Sequence, residues 1–187
     1  MARSRAREQP HDPKPSRSGT GHAPVPTLAS ATVPRVWQGI GYRPLPDAAP
    51  ARPLFEFAAL PWPESGDIAF AWGAVTTADG VERLIGAIVA EQSGNAVMLH
   101  GPVVTAGDAP LEIAAQLVAA ALDHATASGA ATAFAHPQGL DRVWVRFGFI
   151  PMPESTLPTG FAGRMGVGLY AWRGGSALWS LRQPATA

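Results

Sequence analysis

Residues 96–135 read AVMLHGPVVTAGDAPLEIAAQLVAAALDHATASGAATAFA, and this stretch decides the fold. Ala96 to His100 is an apolar run that starts a strand, continuing to Val103 and Val104. Then the period changes. From Pro110 onward, Leu111, Ala114, Ala115, Val118, Leu122 and Ala125 recur at helical spacing, with Glu112, Gln116 and Asp123 on the opposite face. Asp108 suits the N-cap, Pro110 the first turn, and Gly129 lies just past the end. Alanine favours helix and permits close approach to a sheet. Ala131 to Ala135 is short and apolar, bounded by Gly129 and by Pro137-Gln138-Gly139. It reads as a strand parallel to the one before the helix, so 96–135 is a β-α-β unit.

Upstream, Asp67 to Thr77 alternates, with Ile68, Phe70, Trp72, Ala74 and Thr76 in phase. Asp79-Gly80 is a turn signal, and Val81 to Glu91 is the returning strand of an antiparallel hairpin. Ser93-Gly94-Asn95 turns the chain into the strand at Ala96. Leu54 to Phe57 is a short strand or turn. Downstream, Leu140 to Phe147 is a second, shorter helix stopped by Gly148, and Phe149-Ile150 begins a strand. Pro151 to Pro158 is loop-like. Val167 to Trp172 alternates as the final strand, with Trp179 packing beside it.

The chain of 187 residues suits one domain. Residues 1–53 hold ten of its nineteen prolines, which limits helix and central strand there. They also carry eight Arg and Lys against three acids, so a segment of charge +5 precedes a remainder of −5. Met1 to about Thr32 reads as disordered, and 33–53 as an extended, Pro-punctuated segment whose Val36, Trp37, Ile40 and Tyr42 dock as an edge strand. The expected division is a Pro-rich basic segment at 1–53 and an α/β domain at 54–187. The basic residues lie among prolines without aromatic interleaving, which reads as a solvated tail and not a nucleic-acid arm. The sequence has no cysteine, which excludes disulfides, thiolate zinc sites and Cys nucleophiles. The five histidines show no metal spacing. No apolar run spans a bilayer and no apolar stretch follows the N-terminal charges, so the expectation is a cytoplasmic protein with no membrane partner.

The element order is hairpin, strand, long helix, strand, short helix, strand, loop, strand. The short helix ends in Arg146-Phe147-Gly148-Phe149, and Leu157-Pro158 lies in the following loop. Ile85-Gly86-Ala87-Ile88-Val89 places a glycine among apolar residues of the hairpin's return strand. Together these resemble the acyl-CoA-dependent N-acetyltransferase (GNAT) superfamily over about 115 residues. The resemblance implies a GNAT-like mixed sheet, with acetyl-CoA as co-substrate and an amine as acceptor. It also implies a site for the pantetheine arm and diphosphate at Val103, Val104, Thr105, Ala106, Gly107, Asp108 and Ala109. The physics is general, since free backbone N–H groups and the helix dipole favour an anion. The loop departs from the family pattern. It lacks the Arg or Gln, has one glycine, carries the Asp108 charge, and loses a donor at Pro110. Trp144 stands where the family often has a Tyr, so chemistry here does not use that hydroxyl.

His100, on the strand leading to the implied cleft, is the candidate base for an ammonium substrate, against a half-buried structural histidine. His136 follows the next strand and either lines the same cleft or is a loop residue. Glu82 and Glu91 bracket the hairpin's second strand, and the resemblance implies that a sheet carboxylate acts as base through water. Glu82 is taken as the candidate, with a plain strand-end charge as the other reading of both. Asp123-His124 reads as a solvated helix face. Asp141 with Arg142 and Arg146 reads as ordinary helix-surface pairing, or the two arginines reach a CoA phosphate, and Trp72 and Trp144 read as core.

Two functional classes stay open. One is an acyl-CoA-dependent N-acetyltransferase acting on a small-molecule or protein amine. The other is a non-catalytic GNAT-like binding module or adaptor. The apolar, Trp-rich strands permit a homodimer.

Overall fold

The computed structural model describes residues 27–63, 68–164 and 166–173. In chain order the elements are α1 (Leu28–Ala31), β1 (Arg35–Trp37), β2 (Ile40–Leu45), α2 (Arg52–Phe57), β3 (Ile68–Ala78), β4 (Val81–Ser93), β5 (Ala96–Val104), α3 (Pro110–Ala127), β6 (Thr132–Ala135), α4 (Asp141–Arg146), β7 (Ile150–Met152) and β8 (Leu169–Arg173). One mixed sheet holds all eight strands in the order β1-β2-β3-β4-β5-β6-β8-β7. Every pairing is antiparallel except β5 with β6, which run parallel.

The β-α-β unit forms where the hydrophobic period predicts it. Its burial is wider than the six expected apolar positions. Leu111 is exposed, while Ile113, Leu117, Ala120 and Ala121 are buried. Alanines on α3 let the helix lie close against Ile85, Ile88, Val97 and Leu99 of the sheet. Enclosing a side chain such as Leu122 contributes roughly 2 kcal/mol. Trp72 and Trp144 both belong to this core and are fully buried.

Alternation puts the other set of strand residues on the opposite face. There Phe55 of α2 packs with Ala71, Ala87, Val89 and Val103. Next to it, Phe161, from the 3-10 turn at Thr159–Phe161, packs with Met98, Phe134 and Leu169.

Several expectations change. The docking expected of Val36, Trp37, Ile40 and Tyr42 takes place, as two strands instead of one edge strand: β1 pairs with β2, and β2 with β3 from Gly41↔Val75 to Leu45↔Ala71, with Tyr42 buried. The division at Pro53 therefore falls inside α2 and separates elements of one sheet. Residues 28–31, expected to be disordered, form a helical turn capped by Thr27, with Ala31 buried. Leu54–Phe57 is helical, because Pro53 in the first turn is pre-set for helix. Residues 1–26 and Trp179 lie outside the described residues. Downstream, Ile150–Met152 extends a strand into the expected loop, and the last strand starts at Leu169. The N-cap of α3 is Ala109, with no side-chain cap, so Asp108 does not cap the helix. Among the described residues no helix is long and apolar enough to cross a membrane.

Candidate active site

Strands β5 and β6 share four rungs, Ala96↔Thr132 to Leu99↔Ala135. β6 then ends while β5 runs on to Val104. The edge of His100–Val104 is left without a strand partner on that side, and a wedge opens between the two strands. On its other side β5 carries a bulge: Ala87 pairs with Val103 and Val89 with His100, so Ile88 faces both Gly101 and Pro102. Gly101 has φ +89°, and a Cβ there would lie 3.1 Å from the Ala87 carbonyl. The kink thus depends on glycine. Past Val104, Thr105 is tied back by its N–H to the Ile85 carbonyl at 2.8 Å. Residues 105–108 are exposed and lead into the uncapped N-terminus of α3.

His100 begins the open edge. It lies on the face opposite α3, in phase with Ala96 and Met98. Its Nε2 is 2.7 Å from a carboxylate oxygen of Glu91, and the same oxygen accepts Arg164 Nε–H at 2.8 Å. Glu91 is 1% exposed and His100 8%. Burial raises the Glu91 pKa, but the bonds from His100 and Arg164 outweigh it and hold the carboxyl below its ordinary value. An ionised carboxylate only accepts, so Nε2 of His100 carries a proton, and in the neutral ring Nδ1 holds the lone pair. This His–Glu pair can take a proton at Nδ1 while the carboxylate stabilises the imidazolium. The second oxygen of Glu91 is buried without a partner.

Glu82, the carboxylate chosen from the sequence, lies elsewhere. It forms a paired contact with Arg43 at 3.2 and 2.7 Å, and both side chains are about half exposed. Val89 is the rung of His100, and Glu82 is seven residues away along β4, roughly 23 Å at strand spacing. An open groove of about 640 Å³ includes Glu82, Arg43, Leu45 and Leu84, but neither His100 nor His136. The sequence signal for Glu91 was present. The turn at Gly94-Asn95 pairs Ser93 with Ala96, and this register puts Glu91 diagonal to His100 on one face. Arg164 had no such signal, because it arrives from a loop.

Other candidates resolve as follows. Trp144 Nε1–H donates to the Pro137 carbonyl at 3.2 Å and its ring meets Phe149 edge-on. Arg146 leaves its own helix to pair with Glu112, in the first turn of α3, at 2.8 Å. Asp123 and His124 are not a solvated face. Asp123 binds Arg35, and His124 stacks on Phe70 while its Nδ1 accepts Trp72 Nε1–H at 3.2 Å. His136 is buried at the end of β6, and its Nδ1 bonds to the Gly168 carbonyl.

No protein-family model matches the chain, and no curated protein matches it. Solved structures do. An acetyltransferase of the GNAT family from Staphylococcus aureus Mu50 aligns with TM-score 0.56 at 12% identity, over 71% of this chain and 98% of its own. A putative GNAT-family acetyltransferase from Desulfovibrio desulfuricans gives 0.52 at 16%, over 72% and 98%. N-acetylglutamate synthase from Neisseria gonorrhoeae, solved with coenzyme A and N-acetyl-glutamate, gives 0.53 at 18%, over 71% of this chain and 35% of its own. The chain therefore has the GNAT superfamily fold.

Proposed function

We propose that this protein is an acyl-CoA-dependent N-acetyltransferase that moves an acetyl group from acetyl-CoA to an amine. One observation carries the reading: the wedge between β5 and β6 opens beside His100 and leads, through an exposed loop, to the start of an 18-residue helix. An unpaired strand edge offers amides to the pantetheine arm. Residues 103–109 then bring the diphosphate to the helix N-terminus, where free N–H groups and the dipole favour an anion. Catalysis rests on positioning the amine against the thioester, with the backbone near Val104 polarising the carbonyl. His100 is the base, oriented by Glu91. Glu82 has no part in it.

Isothermal titration with acetyl-CoA tests the site, and absence of binding at high micromolar concentration ends the reading. A second reading, a non-catalytic binding module of the same fold, is favoured by the loop itself. Pro110 removes a donor, and Asp108 adds a negative charge where the diphosphate would lie. Acetyl transfer to any amine eliminates it.

A further inference from the structure

Leu99↔Ala135 is the last rung between β5 and β6, so the next residue on each strand is a histidine, His100 and His136. Two residues earlier, Met98 and Phe134 pack together on the face opposite α3. Continued alternation puts both histidines on that same face, at the point where the strands part. The Gly168 carbonyl can only accept, so the Nδ1 of His136 bonded to it carries the proton. In the neutral ring Nε2 is then the lone-pair nitrogen, and it is buried with no partner. A buried acceptor without a donor is costly, and a catalytic role is one of the reasons for which a protein keeps one. Gly166 presses on this ring: a Cβ there would lie 2.3 Å from Cγ of His136, and φ is +152°. The imidazole is thus fixed in plane and in tautomer.

We propose that His136 is a second catalytic residue, which carries the proton that His100 does not. The proposal rests on the transferase reading above. An ammonium that becomes an amide gives up two protons. The first passes to Nδ1 of His100 before attack and is later released to solvent. The freed nitrogen lone pair forms the C–N bond as the carbonyl π pair moves to oxygen. That pair then restores C=O while the C–S bond breaks with its electrons on sulfur. The second proton leaves nitrogen for Nε2 of His136 and passes to the CoA thiolate. His136 returns to the neutral form, and the products are the amide, CoA–SH and one proton in solution. The route also needs no hydroxyl at position 144.

The test separates this role from a purely structural one. His136→Asn keeps a donor where Nδ1 meets Gly168 and removes Nε2. Acetyl transfer by the full chain is measured on a panel comprising a polyamine, an arylalkylamine, an amino sugar and a lysine peptide. Acetyl-CoA affinity is followed by calorimetry. The expected result is a kcat lower by about 100-fold or more, with acetyl-CoA Kd and melting temperature close to the parent. A kcat within about two-fold of the parent overturns the proposal and leaves the transferase reading intact. If the Asn variant does not fold, His136→Ala is assayed with added imidazole; rescue supports the role and no rescue in a folded variant overturns it. No transfer by the parent chain to any amine overturns both readings.

Discussion

His100 and Glu91 share a 2.7 Å hydrogen bond on the face of the sheet opposite α3, nine residues apart and joined through one tight turn. The hairpin register alone brings them within reach. Arg164, arriving from a distant loop, closes on the same carboxylate oxygen.

Glu91→Gln removes the charge that both partners answer. We expect a loss of about 2–3 kcal/mol at pH 7, less than for a fully enclosed pair because Arg164 keeps part of its hydration. The Glu91 carboxyl titrates below its ordinary range in the folded state. Its contribution is therefore present above the unfolded Glu value of about 4.3 and is lost as pH falls through the folded value. Thermal melts from pH 7 to pH 3 should show the gap between parent and variant narrowing in acid. A gap independent of pH would mean that the carboxyl is not ionised in the fold.

His124 titrates in the opposite chemical sense with the same outcome. Burial lowers its pKa, and its neutral Nδ1 accepts the Trp72 indole N–H. The neutral form is preferred in the fold, so stability is full above the unfolded value of about 6.5 and declines as pH falls toward the folded one. His124→Asn keeps an acceptor and does not titrate. Relative to that variant, the parent should lose melting temperature between pH 7 and pH 5. Parallel pH curves would show that the Trp72 contact does not depend on imidazole charge.

Asp108 stands in the exposed loop ahead of α3 without capping it. Asp108→Asn should therefore leave stability nearly unchanged and tighten acetyl-CoA about two- to five-fold, the size of a single charge at a helix N-terminus. Calorimetry on both proteins measures it. Weaker binding by the Asn variant would place the diphosphate elsewhere.

A chain begun at Leu54 loses β1, β2 and the start of α2, and with them the buried Tyr42 and Ala51. It uncovers β3, whose Trp72 lies in the core and under the Arg35 guanidinium at 5.8 Å. We expect no cooperative melt by circular dichroism. A chain begun at Thr27 retains every described element and should melt cooperatively. A cooperative transition from the shorter chain would show that the domain does start near residue 54.

Much of the fold was legible because it is local. The alternation around Trp72, the Asp79-Gly80 turn, the helical period from Pro110 and the short run before His136 each follow from neighbours in sequence. Proline content misled at the N-terminus. The prolines of residues 1–53 read as limiting helix and central strand, yet Pro44 sits within β2, between β1 and β3, and pairs with Trp72. The site was half legible. His100 was marked by its strand, but Glu82 and Glu91 looked alike as strand-end charges, and only the register of the Gly94-Asn95 hairpin tells which one is buried beside it.

The sequence by itself determined the hairpin, the long helix and the parallel crossover, since hydrophobic period and turn chemistry act over a few residues. Only the tertiary structure decided that Arg164 joins Glu91 beside His100, and that His124 is enclosed by Phe70 and Trp72. Those outcomes depend on elements and loops that arrive from far along the chain, and no local propensity encodes such contacts.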